Sequence, residues 1–375
     1  MKKVVIAIDS FKGCLPSAEA GKAAAEGIRS VYPECEVICL PIADGGEGML
    51  DVLIMATNGQ EVPISAHDPL MRWRNTYYGI SENGETAFIE MASISGLPLV
   101  PPERRNPMLT TTYGTGEIIR DALERGCRNF IIGIGGSATN DAGLGMLQAL
   151  GFRFSDKEGK EVGTGRGEVL IKVAHIDSTC VHPALNSCRF TVACDVQNPF
   201  YGPEGAAYVF APQKGADREM VEAFDAGLQN FAEVIRHTTG KDISHHPGAG
   251  ADGGMGGSLL AFLNAELKPG IQLMLEALDF SNKIKSADLI ITGEGKADRQ
   301  TLMGKVPSGI LAEARKQNIP VILLAGNIED SDELQQAGFE GVFSVNPPFI
   351  SLEEAMRPEV ARKNIQQTVE SICKK

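Results

Sequence analysis

A single tryptophan and only 6% aromatic side chains in 375 residues leave the interior of this chain to be filled mainly by aliphatic groups. No apolar run approaches the roughly 20 residues that a membrane-spanning helix needs. The first run, Val4 to Ile8, is too short for a signal peptide and reads as a buried strand. Positive charge is also short: 35 Lys and Arg face 48 Asp and Glu, a net charge of -13. That balance excludes nucleic acid and anionic membranes as partners, although a small anion feels only the groups lining its own pocket. The eight cysteines contain no Cys-x-x-Cys pair. Cys39, Cys127 and Cys194 lie in or beside apolar stretches, so reduced structural thiols and a cytoplasmic location are expected. The six histidines show no metal-ligand spacing, and His245-His246 beside Pro247 reads as loop.

Glycine, by contrast, is abundant at 42 residues, and two segments use it in nearly the same way: Ala43-Asp44-Gly45-Gly46-Glu47-Gly48 and Ala251-Asp252-Gly253-Gly254-Met255-Gly256. Each leads into an apolar helical stretch. Successive glycines let backbone N–H groups approach an anion, a helix N-terminus adds partial positive charge, and a neighbouring carboxylate can hold a divalent cation. A phosphorylated ligand is therefore expected at Gly45, Gly46, Gly253 and Gly254, with Asp44 and Asp252 as metal candidates. Ordinary tight turns use the same residues.

The length suggests about two domains at ~150 residues each. Short apolar runs at 3–8 and 36–42 flank an alanine-rich helix that Ser17 can cap, a β-α-β unit. From about residue 62 the texture becomes antiparallel and mixed, with short strands expected at 152–154, 169–173, 190–194 and 207–210. Buried-strand runs return at 287–292, 321–325 and 342–345. Five parallel strands shared by the two chain ends predict an α/β fold: a doubly wound parallel domain (1–62 and 262–375) carrying a large mixed α/β insertion (63–261). The site is expected in the cleft between them, at the carboxyl ends of the strands, with Asp44 and Asp252 as two edges of that cleft.

Several loops there carry chemistry. In Asp9-Ser10-Phe11-Lys12-Gly13, Lys12 can meet phosphate oxygens and Ser10 can contact the nucleotide or its metal. Thr292-Gly293-Glu294-Gly295-Lys296 puts Gly293, Glu294, Gly295 and Lys296 after a buried strand. The chain lacks G-x-x-x-x-G-K-[ST], so no Walker loop holds a nucleotide. Gly133 to Ala138 satisfies G-x-G-x-x-A with Asp156 and Glu158 about twenty residues on, which keeps a nicotinamide-dependent dehydrogenase as the alternative. Ser137 and Asn140 instead suit a hydroxylated or phosphorylated substrate. Thr115 and Gly116 open a helix that can receive a carboxylate, and Arg105 offers it a guanidinium. Asp195, after an apolar strand, is the candidate general base, with Lys12 and Lys296 offsetting charge on a transferred phosphoryl group.

Taken in order, Asp9 to Gly13, Asp44 to Gly48, Arg105-Asn106-Pro107, Thr112 to Gly116, Gly135 to Asp141, Cys194-Asp195-Val196 and Thr292 to Gly295 resemble the glycerate kinase type-1 family across essentially the whole chain. The resemblance implies a flavodoxin-like domain with a mixed α/β insertion and ATP-dependent phosphorylation of D-glycerate with magnesium (Mg2+). It implies the 2-hydroxyl as acceptor, with the 3-hydroxyl open; a homodimer also stays open.

Overall fold

The computed structural model describes residues 1–46 and 48–374. Glu47, the acid of the first glycine turn, lies outside the described residues. Among those described, the strands are β1 (Lys3–Ile8), β2 (Glu36–Cys39), β3 (Gln60–His67), β4 (Trp73–Ile80), β5 (Thr86–Glu90), β6 (Asn129–Gly133), β7 (Arg153–Ser155), β8 (His175–Asp177), β9 (Arg189–Ala193), β10 (Glu266–Lys268), β11 (Leu289–Ala297), β12 (Val321–Ile328) and β13 (Gly341–Ser344). The chain divides into two compact units, 1–44 with 271–375, and 45–270.

The first unit is a five-stranded sheet in the order β13-β12-β11-β1-β2, parallel throughout. Numbered within the unit, that order is 2-1-3-4-5, the flavodoxin-like arrangement, and its direction switches between β1 and β11. Helices on both faces explain why β1 and β12 read as unbroken apolar runs. The alanine-rich helix Ser17–Val31 packs so closely on Pro358–Cys373 that a Cβ on Gly27 would stand 2.5 Å from the Gln366 carbonyl oxygen. Ser17 does not cap this helix. Its hydroxyl donates to the Ile8 carbonyl at 2.6 Å and accepts from Ile42 N–H at 2.9 Å, tying the end of β1 to the segment after β2. β2 is an edge strand, which is why Cys39 is exposed despite its apolar neighbours.

The second unit holds a six-stranded mixed sheet, β10-β9-β6-β5-β4-β3. β3, β4 and β5 pair antiparallel, while β5, β6, β9 and β10 run parallel. The sequence boundaries at 62/63 and 261/262 differ from the observed divisions at 44/45 and 270/271 for a packing reason. The helix Met49–Ala56 lies on β4 and β5, and β10 pairs with β9, so both belong to this unit. Two expected strands are helical: 207–210 lies in the helix Ala206–Phe210, and 169–173 falls mostly in the 3-10 helix Gly167–Lys172. Short apolar runs without alternation do not distinguish a strand from a buried turn of helix.

Candidate active site

In the first unit, a cavity of about 780 Å³ opens at the carboxyl ends of β1, β11, β12 and β13. Its polar wall includes Asp9, Ser10, Lys12, Asp44, Glu294 and Lys305. Asp9 is buried, and its Oδ1 accepts from Ser10 N–H at 2.7 Å. Burial, reinforced by the neighbouring carboxylate of Asp44, pushes its pKa up to about 7. Burial also raises Glu294, whose Oε1 accepts from the Thr301 hydroxyl at 2.6 Å and whose Oε2 lies 3.7 Å from Lys305 Nζ. Lys12 Nζ is 3.8 Å from Asp44 Oδ2. Lys296 points to acids of its own, Glu329 at 2.9 Å and Asp298 at 3.6 Å. Gly295 runs beside the Phe11–Lys12 backbone at ordinary contact, and Gly293 pairs within the sheet. The sequence-predicted loops around Asp9, Asp44 and Glu294 thus share one wall, a juxtaposition that the 2-1-3-4-5 order dictates.

The second unit has its own polar centre, at the carboxyl ends of the paired strands β6 and β9. Asp141 anchors it. This buried carboxylate accepts from the Thr112 N–H (2.8 Å) and hydroxyl (2.9 Å), Gly143 N–H (3.1 Å) and Gly145 N–H (3.2 Å). Beside it Lys214, only 2% exposed, donates to Ser137 Oγ at 2.8 Å and to the Thr139 carbonyl at 2.6 Å. Burial pushes the lysine down to about 8, while Asp252 and Asp141 favour its charged form. Asp252 adopts a left-handed backbone at φ 48° and accepts from Ser137 N–H at 3.3 Å. Burial raises its carboxyl and Lys214 opposes the rise. Asn140 is fully buried, and among the described residues neither its amide nitrogen nor its amide oxygen has a hydrogen-bond partner; the Thr139 hydroxyl is likewise unmatched there. Such orphaned groups cost about 1–3 kcal/mol each unless something else engages them. Gly253 makes this possible, since a Cβ there would stand 2.9 Å from Asn140 Oδ1 and 2.3 Å from the Thr139 carbonyl oxygen.

Asp195 leaves the adjacent strand end. It is exposed, and its Oδ1 accepts from Gly270 N–H at 2.9 Å, where the helix Gly270–Ala277 begins. The Cys194 thiol is pushed up to about 11 by burial, with Asp252 and Asp195 both adding to the rise, so the two carboxylates act on one neighbourhood. Gly45 abuts this region as well, because a Cβ on it would lie 2.7 Å from Gly270 Cα and 3.0 Å from Ala193 Cβ. Gly46 accepts from Met49 N–H at the start of the following helix.

Other expected site residues are used for packing. The Thr115 hydroxyl is buried against Ser95 Oγ at 2.8 Å. Gly116 allows the helix Tyr113–Glu124 to touch Leu144–Ala149, where a Cβ would be 2.3 Å from the Met146 carbonyl oxygen. Gly254 packs against Leu228, Phe200 and Ala142. Arg105 donates weakly to the Val100 carbonyl at 3.5 Å, and its own carbonyl abuts Gly215, next to Lys214. The loop after Gly133 runs ten residues before the helix at Leu144, and Asp156 is spent on the N–H groups of Glu158 and Lys160. That is not the geometry of a dinucleotide fingerprint. Among the described residues, no three or more His, Cys, Asp or Glu are grouped to hold a metal ion. Lys214 is not apparent from sequence; in Pro212-Gln213-Lys214-Gly215 it looks like any turn lysine, and only its burial singles it out.

Two polar centres at the carboxyl ends of parallel strands, one rich in carboxylates and one built around a buried cation, define an α/β enzyme for small anionic substrates. The chain belongs to the glycerate kinase family: the model described as "Glycerate kinase family" matches residues 4–375. It is 47% identical to the Escherichia coli protein named glycerate 2-kinase over 95% of this chain and 93% of that one. It is 45% identical to the Bacillus subtilis glycerate kinase over 99% and 97%. A crystal structure titled putative glycerate kinase 2 from Salmonella typhimurium superposes with a TM-score of 0.91 at 43% identity, covering 100% of this chain and 97% of that one.

Proposed function

We propose that this enzyme transfers the terminal phosphoryl group of ATP to the 2-hydroxyl of D-glycerate, giving 2-phosphoglycerate and ADP. The observation that supports the reading most is the near full-length likeness to the Escherichia coli protein named glycerate 2-kinase, joined to a buried centre whose free hydrogen-bonding capacity suits a small hydroxy acid. In the second unit, Lys214 and the Asn140 amide receive the glycerate carboxylate and a hydroxyl, with Ser137 holding the lysine in place. Arg105 adds positive charge nearby. Asp195 accepts the proton of the attacking hydroxyl as the bond from phosphorus to the leaving ADP oxygen breaks. Its hydrogen bond from Gly270 N–H supports this role by fixing the carboxylate's direction.

In the first unit, Ser10, Lys12 and Lys305 meet the nucleotide's phosphates. Mg2+ commonly takes one or two carboxylates together with substrate phosphates, and Asp9 and Asp44 fit that pattern: they offer only oxygen, and Asp9 resists ionisation partly because Asp44 and Glu294 stand beside it, which a cation would relieve. Asp9 and Asp44 are therefore the holders of the metal, which supplies neutralisation of phosphate charge. Asp252 fits a metal less well, because Lys214 already lends it positive charge. Free thiols at all eight cysteines support a reducing, cytoplasmic setting.

Incubating the protein with ATP, magnesium and D-glycerate and identifying the product by phosphorus NMR tests reaction and position together. 2-Phosphoglycerate is expected; 3-phosphoglycerate would overturn the position, and no glycerate-dependent ADP release would overturn the reaction.

A further inference from the structure

The cavity of the first unit is larger than a row of phosphates requires, and its chemistry changes along its length. At the β1 and β11 end it is lined by Asp9, Lys12, Glu294 and Lys305. Beyond the end of β13 the wall becomes Pro347, Pro348, Ile350, Leu352, Ala355 and Met356. The strand order sets this gradient. Charged groups cluster where the connection direction reverses, the usual place for the anionic part of a ligand, and the apolar wall lies two strands further from β11, about 10 Å at ordinary interstrand spacing. That offset suits an extended molecule with an anionic end and a flat apolar end. At about 780 Å³ the cavity has the size of sites that enclose such ligands.

We propose that the apolar end, formed by 347–356, is the nucleobase subsite, taking the adenine ring of the nucleotide whose phosphates lie at the β1 end. The inference rests on the reading of ATP as cosubstrate. Phe349, between lining residues, is fully exposed and holds φ at 66°, a conformation that costs a bulky residue energy, and Leu352 is 78% exposed. Large apolar side chains displayed together next to a cavity mark a surface that something covers. The base of the segment is held firmly, since Asn346 Nδ2 donates to the Gly326 carbonyl at 2.7 Å and its Oδ1 accepts from Asn364 at 3.2 Å. With those amide groups engaged, the ring is held by apolar contact and shape rather than by the Asn346 side chain.

The test separates the two ends of the nucleotide. Calorimetric titration of the double variant I350S/L352S with ADP should show affinity weakened tenfold or more, whereas inorganic tripolyphosphate should bind within twofold of the unaltered protein. Both substitutions are neutral, so no new charge confuses the comparison. Equal ADP affinity, or a parallel loss for tripolyphosphate, would overturn the subsite. A second measurement needs no substitution. Cys14 lines the cavity at this end, its Sγ 3.9 Å from the Ala355 carbonyl. Adenosine should slow its alkylation, followed by peptide mass spectrometry, while tripolyphosphate should not; absence of adenosine protection overturns the proposal. Neither measurement involves glycerate. A protein that binds ADP as expected but fails to phosphorylate glycerate would sink the reaction and keep the subsite, and the converse result would do the opposite.

Discussion

Asp195 and Lys214 differ sharply in setting, one exposed and one buried, and the roles proposed for them predict different losses. Asp195 is exposed and steered by a backbone N–H, so replacing it with Asn keeps the shape and removes only the proton acceptor. Turnover of D195N should fall ~10²–10⁴-fold with ADP affinity unchanged, as steady-state kinetics and calorimetry would show; unaltered kcat would refute the base assignment. Lys214 is buried, and a methionine in its place, similar in length but uncharged, leaves Asn140 alone to hold an anion. For Lys214→Met the KM for glycerate should rise ~10–100-fold, the scale of a lost charge-assisted hydrogen bond, with the KM for ATP little changed. A rise confined to ATP would contradict the placement. Asp9 gives a pH signature in the metal-free protein. Its folded pKa of about 7 lies above the ordinary 3.8, so the native state keeps a proton that the unfolded chain has released. Stability therefore falls as pH rises from about 4 to about 7, by up to about 4 kcal/mol, and stays lowered above that. Asp9→Asn, whose side-chain oxygen still accepts from Ser10 N–H, should melt higher than the parent at pH 8 and alike at pH 4. A constant difference across that range would refute the shift.

At the scale of elements, the contact between the helices Tyr113–Glu124 and Leu144–Ala149 distinguishes packing from binding. The sequence pattern around Gly116 points to a substrate, and the structure instead gives this glycine the close approach of two helices. Gly116→Val should destabilise the protein by about 1–3 kcal/mol, read from denaturant unfolding, and any folded fraction should keep its KM for glycerate. A raised KM with unchanged stability would restore the binding role. Sequence reasoning finds a glycine in this place and not its purpose, because a helix start that receives an anion and one that receives a neighbouring helix need the same small residue. The same ambiguity affects the runs at 169–173 and 207–210. Each is apolar and about one turn long, and nothing within such a run records whether its hydrogen bonds close locally or across a sheet. The long parallel-strand runs are legible because burial on both faces leaves an unbroken apolar stretch, a pattern that half-buried strands and surface helices do not produce.

At the scale of the molecule, one unit is built from a continuous segment and the other from both chain ends. The continuous unit contains its own six-stranded sheet and its own apolar core, from Val62 to Ala265. A fragment spanning 45–270 should therefore fold alone, with a cooperative thermal transition by circular dichroism and no kinase activity. A fragment that remains unstructured would show that the division reflects contact density without independent stability. No helix among the described residues is long and apolar enough to cross a membrane.

The sequence alone determined the α/β class, the five parallel strands shared by the chain ends, and the loops that carry Asp9, Glu294, Ser137 and Asn140, because chemistry adjacent along the chain stays adjacent in space. The tertiary structure decided what crosses the chain. Lys214 meets Ser137 over a separation of 77 residues, and Asp252 meets Ser137 over 115. It set Asp44 beside Asp9 and Lys12, and Asp252 beside a buried lysine, although the two open nearly identical glycine turns. A motif fixes which groups a loop can offer; burial and the partners brought by the rest of the fold fix which charge they carry and what they can bind.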